Sequence, residues 1–294
     1  MAQPSWTVVV PVKHLDTAKS RLRGALDHVP HDRLALALAQ DTVTAALACP
    51  EVGEVLVVTG DTVAGATLAA LGARTVPDPP GSGLNQAFLA GAARAGHARI
   101  AALTADLPAL RPADLSAALT AATAPPNGSA GANGSAGPAA RGGVRRFVAD
   151  ASGTGTVLLI TAAGTPLDPR FGPESASAHA NSGALALTGR WPTLRRDVDT
   201  AADLLAAARL GLGRHTGILL GPGPGTVLSM QGTVASYDAQ TRSGTLLLDD
   251  GTEVAFPAAA FDASGLRLLR LGQRVRIEHD ESGAMIRITL PTFP

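Results

Sequence analysis

The stretch TVVVPVKHLDTAKSRL, Thr7 to Leu22, decides how the rest of the chain is interpreted. Its apolar, β-branched beginning predicts a buried strand, and Pro11 is expected to end that strand. The loop that follows carries Lys13, Lys19 and Arg21 but almost no acidic residue. A solvent-exposed turn would explain these charges. A cationic loop with free backbone amides after a buried strand, however, also suits a polyphosphate ligand.

Length and composition describe an ordinary folded protein with a sizeable core. The chain has 294 residues, of which 46% are hydrophobic and 16% are charged, enough for a large domain and a small one. Lys plus Arg and Asp plus Glu both number 24, so the basic surplus typical of nucleic-acid-binding proteins is missing. The single cysteine, Cys49, excludes an internal disulfide and a Cys-rich zinc site. With no signal-peptide pattern and no long apolar run, we expect a cytoplasmic protein without membrane association.

Short β-rich segments alternate with Ala- and Leu-rich segments over most of the chain. Strands are predicted at Val8–Val12, Val55–Thr59, Ile100–Leu103, Arg146–Val148 and Thr156–Thr161. Helices are predicted at Asp32–Ala48, Thr62–Leu71, Asn85–Ala95 and Pro112–Ala122. Uninterrupted apolar strands between helices indicate an α/β fold with a doubly wound, mostly parallel sheet, which binds ligands at the carboxyl ends of its strands.

Changes in composition divide the chain into two predicted domains. Residues 1–217 form the α/β domain, and the low-complexity stretch at residues 124–143 is expected to be a mobile insertion in it. A Gly- and Pro-rich segment at residues 218–225 is the predicted linker. Residues 226–294 then contain short strands with DDG and ESG turns, which predict a small all-β barrel.

Aspartates at two places are candidate metal ligands. Asp106 follows an apolar strand in LTADLPAL, where a carboxylate can hold Mg²⁺ together with substrate phosphates, although a turn or helix-capping aspartate is equally consistent. In RRDVDTAADL, Asp197 and Asp199 flank one valine, so an extended backbone directs both to one face. Two adjacent carboxylates are costly without a cation between them. The other interpretation is that Asp199 or Thr200 caps the helix that begins at Ala201.

Two glycine-containing segments are candidate ligand loops. SGTGT opens a strand with backbone amides that no side chain covers, and FGPESASAH predicts a turn into a helix near Glu174. The amides of Gly172 and Ser175, with the Ser175 hydroxyl, suit a small phosphate or carboxylate, provided that Glu174 faces away. His179 either contacts that ligand or packs within the fold.

The segment PDPPGSGLNQAFLAGA is a candidate nucleotide-binding loop. Gly81 and Gly83 allow the backbone to approach a flat ligand closely. Asn85 offers both a donor and an acceptor, as recognition of a base edge requires, but it could equally cap the following helix.

Taken in order, the motifs KSRL, PGSGLNQA, LTADLPAL, GTGT, RFGPESASAH and RDVDTAADL resemble one family across about the first 215 residues. They are similar to the phosphoenolpyruvate or 2-phospho-L-lactate guanylyltransferases of deazaflavin coenzyme (F-420) biosynthesis. The resemblance implies an α/β nucleotidyltransferase fold of the GT-A-like type. It also implies that GTP and a small phosphorylated carboxylic acid form a guanosine diphosphate ester and pyrophosphate.

The resemblance also implies roles for individual residues. The positions that match the family's magnesium-binding aspartates are Asp106, Asp197 and Asp199. The positions that match its acid-binding residues are Thr156 (or its neighbour Val157), Gly172 and Ser175. Lys13, Lys19 and Arg21 would then hold the β- and γ-phosphates during catalysis, and Gly83 and Asn85 would contact the nucleotide. No general base is required, because a phosphate monoester is already ionised near neutral pH.

The C-terminal segment resembles a cold-shock or related oligonucleotide-binding (OB) barrel through GTV, DDG, SGLRLL and GQRV. Such domains stack bases on aromatic residues, but only Tyr237, Phe256 and Phe261 lie near the corresponding surface. We therefore expect the barrel shape, packed against the enzyme domain, without strong single-strand binding.

The leading hypothesis is an Mg²⁺-dependent phosphoenolpyruvate guanylyltransferase, with 2-phospho-L-lactate as the alternative acid. A cytidylyl or molybdopterin-type nucleotidyltransferase is a further alternative, which GTP and CTP would separate. A nucleic-acid-binding protein acting through the barrel is the alternative from another class, and it predicts salt-sensitive RNA binding by residues 226–294. A homodimer and an association with the downstream F-420 pathway enzyme are compatible with the sequence.

Overall fold

The structure, a computed structural model, describes residues 6–16, 22, 29–78, 81, 83–97, 99–124, 144–220, 228–248, 251–279 and 285–290. The α/β part begins with β1 (Trp6–Pro11), α1 (His31–Leu47), β2 (Val52–Thr59), α2 (Thr62–Ala70), β3 (Arg74–Pro77), α3 (Leu84–Ala92) and β4 (Arg99–Leu103). It continues with α4 (Pro112–Thr123), β5 (Arg146–Ala149), β6 (Thr156–Thr161), α5 (Ser175–Asn181), β7 (Leu185–Ala186), α6 (Ala201–Leu210) and α7 (Arg214–Leu220). The C-terminal part contains β8 (Leu228–Asp238), β9 (Ser243–Leu248), β10 (Glu253–Phe256), α8 (Ala258–Asp262), β11 (Arg274–His279) and β12 (Met285–Thr289).

Helices cover both faces of the first sheet, as the apolar strands predict. Val8 and Val10 of β1 pack into one core cluster with side chains of α1, α2 and α4. Val9, which points to the opposite face, packs into a second cluster with Ala87 and Phe88 of α3. The doubly wound α/β prediction is therefore confirmed.

The strand order of the first sheet is β3-β2-β1-β4-β6-β5-β7. β1 pairs in parallel with β2 and β4, whereas β6 is antiparallel to both of its neighbours, β4 and β5. Because β6 runs backwards, Thr156 at its beginning lies at the same edge as Leu103 at the end of β4. One edge of the sheet therefore collects the carboxyl ends of six strands and the beginning of β6.

The opposite, amino edge of this sheet holds the attachment points of residues 125–143, which lie outside the described residues. A cavity of about 210 Å³ there is lined by Trp6 and Arg99, which begin β1 and β4, together with Ala124 and Val144. The Arg146 guanidinium donates to the carbonyl oxygen of Ala124 at 2.6 Å and so joins the two ends. The predicted insertion is thus anchored away from the edge that collects the strand ends.

A close approach of α3 to the sheet requires a glycine at position 91. A Cβ atom on Gly91 would lie 2.4 Å from Val9 Cγ1 and 2.8 Å from Val58 Cγ2. We expect Gly91→Ala to lower the free energy of unfolding by roughly 1–3 kcal/mol, because the helix must move away from the strands. Urea denaturation measures the change.

Gly217→Ala in α7 is the matched control, because a Cβ there meets nothing within 4 Å. It should keep or slightly raise the free energy of unfolding, since alanine favours the helix. Equal stability of the Gly91→Ala variant and the unmodified protein would contradict the packing argument.

The C-terminal part forms a second, antiparallel sheet in the order β10-β9-β8-β11-β12. Its core cluster is closed on one side by α8 and includes Val234, Phe256 and Ile277. Ala201, Ala202 and Leu205 of α6 pack against the same cluster. The expected packing of the C-terminal domain on the enzyme domain is therefore present. Among the described strands no pairing joins β10 to β12, so the sheet has two edges rather than the closed ring of a full barrel.

The linker predicted at residues 218–225 begins within a helix. α7 continues to Leu220, which packs with Leu34 and Leu38 of α1 in a third core cluster. Residues 221–227 lie outside the described residues, so the other limit of the linker stays a prediction. None of the described helices combines the length and the apolar character that a bilayer crossing requires.

Candidate active site

The carboxyl edge of the first sheet brings together residues that the sequence predicted separately. A cavity of about 230 Å³ lies between the loops that follow β1 and β4. Lys13 lines it from the first loop, Asp106 from the second, and Leu84 from the beginning of α3. The N-terminal lysine and the first predicted metal-binding aspartate therefore share one cleft.

An acidic residue that the sequence analysis missed holds Lys13. The Nζ atom of Lys13 lies 2.7 Å from Oδ2 of Asp78, which follows β3 at the same edge of the sheet. Sequence alone did not reveal this ion pair, because β3 is only four residues long and was not predicted. Lys19 and Arg21 lie outside the described residues, so their predicted contacts with phosphates stay predictions.

The loop after β1 is also attached to α2. Asp61 caps α2 by accepting from the N–H groups of Val63 and Ala64, and its second oxygen accepts from the N–H of Leu15 at 3.1 Å. Burial alone would raise the pKa of Asp61, but these hydrogen bonds outweigh it and hold the pKa below its usual range. The carboxylate therefore stays ionised and fixes the base of the cationic loop.

The loop that carries Asp106 is fixed from two sides. The N–H of Leu107 donates to the Thr42 hydroxyl of α1 at 2.9 Å, and the N–H of Gly213 donates to the Pro108 carbonyl at 2.7 Å. Arg111, not Asp106, occupies the N-cap position of α4, so the capping interpretation of Asp106 is wrong. The aspartate is half-buried at the cavity wall.

The other two predicted metal ligands, Asp197 and Asp199, lie beside this loop. The N–H of Val198 donates to the carbonyl oxygen of Asp106 at 3.0 Å, which joins the two acidic segments through their backbones. Val198 is fully buried, whereas Asp197 is half-buried and Asp199 is exposed. This alternation is what the extended-backbone argument predicts for two carboxylates on the face opposite a core residue.

The predicted helix cap after these aspartates is confirmed. Thr200 is the N-cap of α6, with a capping box in which its hydroxyl accepts from the Asp203 N–H and the Asp203 carboxylate accepts from the Thr200 N–H. The N-cap position of α6 is thus held by Thr200 and not by Asp197 or Asp199. Within the described ranges, no group of three or more His, Cys, Asp or Glu side chains is gathered into a complete metal-binding set.

The amides of the SGTGT segment have a different role from the one expected. The N–H groups of Gly153, Thr154 and Gly155 all donate to the carboxylate of Asp150, at 2.6, 3.1 and 3.0 Å. The expectation that no side chain covers these amides was therefore wrong. Asp150 closes a local turn that delivers the chain into β6, as short acidic side chains commonly do.

Thr156 connects this turn to the loop that carries Asp106. The N–H of Thr104, just after β4, donates to the carbonyl of Val157 at 3.0 Å, so Thr156 lies next to the segment that leads to Asp106. The Thr156 hydroxyl is 2.9 Å from Nδ1 of His179 in α5. His179 is fully buried and contacts the ring of Phe171 edge-on at 5.2 Å. Its packing role is thus observed.

The turn before α5 has the backbone shape that the sequence suggested. Gly172 has φ of 144°, a conformation that favours glycine, and Glu174 is the N-cap of α5 with φ of 53°. Ser175 follows as the first residue of the helix and is buried. The N–H of Ala176 donates to the Thr154 carbonyl at 3.0 Å, which holds this turn against the beginning of β6. Thr156, Gly172 and Ser175 therefore belong to one structural unit.

Asn85 connects the predicted nucleotide loop to the same unit. Its side-chain oxygen accepts from the N–H of Phe171 at 2.8 Å, and its nitrogen donates to the Phe171 carbonyl at 3.1 Å. Gly83, not Asn85, is the N-cap of α3, so the capping interpretation is wrong. These two bonds use one N–H and one oxygen lone pair of the amide, and the nucleotide role of Asn85 stays a prediction.

The aromatic residues of the second sheet pack against one another. Tyr237 lies 5.1 Å from the ring of Phe261 and 6.4 Å from that of Phe256, and both phenylalanines are buried. These rings fill the core of the small sheet, which is a structural role.

Comparison with known protein families finds a match for the central part of the α/β domain. Residues 35–192, more than half of the chain, match the MobA-like NTP transferase domain. The matched residues run from α1 past β7 and include Asp106, Thr156 and Ser175.

Individual proteins are also similar to this chain, over most of its α/β part. A phosphoenolpyruvate guanylyltransferase from Salinispora arenicola is 60% identical over 216 residues, which are 74% of this chain and 94% of the relative. The proteins of that name from Geodermatophilus obscurus and Streptomyces coelicolor are 54% and 50% identical, over 75% and 72% of this chain and 96% and 93% of the relatives. These similarities and the matching domain confirm the resemblance drawn from the motifs, and the chain belongs to the phosphoenolpyruvate guanylyltransferase family.

Proposed function

We propose that this protein transfers the guanylyl group of GTP to phosphoenolpyruvate, forming enolpyruvoyl-2-diphospho-5′-guanosine and pyrophosphate in coenzyme F-420 biosynthesis. The observation that carries the proposal is the high identity to relatives named for this activity, which extends over nearly their whole length. A nucleotidyltransferase domain with a cleft between a lysine-bearing and an aspartate-bearing loop supports it. 2-Phospho-L-lactate stays the alternative acceptor.

The reaction joins two anions, so the protein must first reduce their repulsion. An oxygen of the acceptor phosphate attacks the α-phosphorus of GTP while the bond to pyrophosphate breaks. Lys13 lies at the wall of the cleft, and this position supports a role for its ammonium group in neutralising the triphosphate. Its ion pair with Asp78 keeps the ammonium in position, and the phosphates would replace that carboxylate as its partner. Lys19 and Arg21, from the same loop, are proposed to add further positive charge.

A divalent cation, for which we propose Mg²⁺, fits the chemistry of the acidic groups beside this cleft. The proposed ligands are Asp106, Asp197 and Asp199, whose carboxylates are hard oxygen donors. Mg²⁺ commonly takes only one or two protein carboxylates and completes its shell with water and phosphate oxygens. The hydrogen bond between Val198 and Asp106 supports a shared role, because it keeps the two acidic segments adjacent. Such an ion supplies positive charge for the phosphate oxygens that gain negative charge.

The acid is proposed to bind at Thr156, Gly172 and Ser175. The hydrogen bonds that unite β6 with the turn before α5 support this assignment, as does the position of Thr156 beside the loop of Asp106. Val157 belongs to the apolar core, which favours Thr156 as the residue that contacts the acid. Gly83 is proposed to face the nucleotide, because it precedes Leu84 at the cavity wall and a Cβ on it would meet open space.

Product analysis of the purified protein tests the proposal. When GTP, Mg²⁺ and phosphoenolpyruvate are supplied together, we expect pyrophosphate release and, by mass spectrometry, the mass of enolpyruvoyl-2-diphospho-5′-guanosine. No product is expected when CTP replaces GTP. Faster release with 2-phospho-L-lactate would select the alternative acid. The absence of any product from GTP with either acid would refute the guanylyltransferase assignment. A cytoplasmic location and a homodimer stay predictions from the sequence.

A further inference from the structure

The buried imidazole of His179 uses both of its nitrogen atoms. Nε2 lies 2.9 Å from the backbone N–H of Arg170, and Nδ1 lies 2.9 Å from Oγ1 of Thr156. The ring itself packs between Phe147 and Phe171, with ring centroids 5.8 and 5.2 Å away. The residue therefore connects the turn that carries Gly172 to the beginning of β6.

The contact with Arg170 fixes the tautomer of the ring. A backbone N–H can only donate, so Nε2 must accept with its lone pair. A neutral imidazole carries one hydrogen, which must then be on Nδ1. Burial, the largest effect, lowers the pKa of His179 to about 4, so the ring is neutral at physiological pH.

The tautomer in turn fixes the direction of the Thr156 hydroxyl. With the hydrogen on Nδ1, the ring can donate to Oγ1, with the Ser175 backbone as a further acceptor, and Nδ1 cannot accept from Thr156. The hydroxyl hydrogen of Thr156 cannot point at the ring and is left for another acceptor. The opposite tautomer would accept that hydrogen, and lone pairs alone would remain for a ligand.

We propose that His179 is a positioning residue that holds the Thr156 hydroxyl as a hydrogen-bond donor for an oxyanion of the acceptor acid. The inference rests on the proposed function, which assigns the acid to Thr156, Gly172 and Ser175. It adds a hydrogen-bond donor of fixed direction to that site. Such a donor favours a carboxylate or phosphate oxygen over a neutral or cationic group. The same ring braces the turn of Gly172 through the N–H of Arg170.

Steady-state kinetics of full-length variants tests the inference. His179→Leu removes the donor, and we expect the KM for phosphoenolpyruvate to rise about tenfold to hundredfold while the KM for GTP stays unchanged, since hydrogen bonds to charged groups have this strength. His179→Asn keeps an N–H at the position of Nδ1 and should restore most of the acid affinity. Thr156→Val should raise the same KM, and adding His179→Leu to it should have little further effect.

His97→Leu is the matched control, because His97 is half-buried just before β4, at the amino edge. The inference would be overturned if His179→Leu left the KM for phosphoenolpyruvate unchanged, or if it raised the KM values for phosphoenolpyruvate and GTP equally. Either result would leave the guanylyltransferase assignment intact. An unmodified protein without guanylyl transfer would instead refute the proposed function.

Nitrogen-15 NMR of the imidazole decides the hydrogen-bond geometry without enzymatic turnover, and it serves if His179→Leu does not fold. The expected pattern is that of a neutral ring with its hydrogen on Nδ1. A hydrogen on Nε2 would overturn the inference.

Discussion

Asp106→Asn and Asp197→Asn are each expected to lower guanylyl transfer by about a thousandfold, because a bound divalent ion contributes several kcal/mol of charge stabilisation. Asparagine preserves the size of the side chain and removes only its negative charge. The Val198 hydrogen bond uses the carbonyl of Asp106, so the substitution leaves that backbone contact unchanged. Turnover measured by pyrophosphate release should therefore fall without loss of the fold.

Glu253→Gln is the matched control for this pair, because Glu253 is exposed on the second sheet, in β10. Its turnover should equal that of the unmodified protein. Circular dichroism and urea denaturation establish that the variants remain folded. Near-normal turnover in both asparagine variants would refute the metal assignment, whereas partial recovery at high Mg²⁺ would support it.

Acidification is expected to destabilise the protein through His179. Burial lowers the pKa of its imidazole from 6.5 to about 4, so the unfolded chain binds the proton more readily than the folded chain. The folded state is therefore favoured fully above pH 6.5 and loses this advantage as the pH falls towards about 4. A shift of this size corresponds to about 3 kcal/mol in the free energy of unfolding.

The groups around the ring oppose one another and do not reverse this expectation. The hydrogen bond to the Ser175 backbone and the charge of Asp168 favour the protonated ring, whereas Arg145 and Arg170 disfavour it. Burial alone would raise the pKa of Asp168, but its hydrogen bonds and charge interactions with the two arginines hold that pKa below the usual range. The carboxylate thus remains ionised over most of the interval.

Urea denaturation at several pH values measures the effect. His179→Asn should show a shallower loss of stability between pH 6.5 and about 4, because it removes the titrating ring. The other six histidines are present in both proteins, so their contributions cancel in the difference. Parallel pH profiles for the two proteins would contradict the expectation.

Local patterns predicted most of the α/β fold. β6 begins and ends where its apolar run predicts, and α1 is displaced by only one residue at each end. Hydrophobic periodicity predicts such elements because burial determines it. The strands β3 and β7 were missed because β3 buries only one of its four residues and β7 buries neither of its two, so neither contains a buried apolar run. The direction of β6 was also inaccessible, since an apolar strand has the same pattern in either orientation.

For the candidate site, the sequence suggested which residues take part but not the contacts between them. The resemblance assigned Asp106 and Asp197 to one site, and their shared role stays a prediction. The hydrogen bond from the Val198 N–H to the Asp106 carbonyl shows that the two backbone segments are adjacent. It could not anticipate that Asn85 holds the backbone of Phe171, 86 residues away. Contacts between distant segments depend on topology, which single-sequence patterns do not specify.

The anchoring of the chain at the amino edge has a practical consequence. Ala124 and Val144 line one small cavity beside the starts of β1 and β4, on the far side of the sheet from Lys13 and Asp106. Residues 125–143 thus leave and re-enter the domain at neighbouring points, and changes in their length need not strain the strands. A fluorescent reporter or an immobilisation tag inserted there would label or attach the enzyme without obstructing the entry of its substrates.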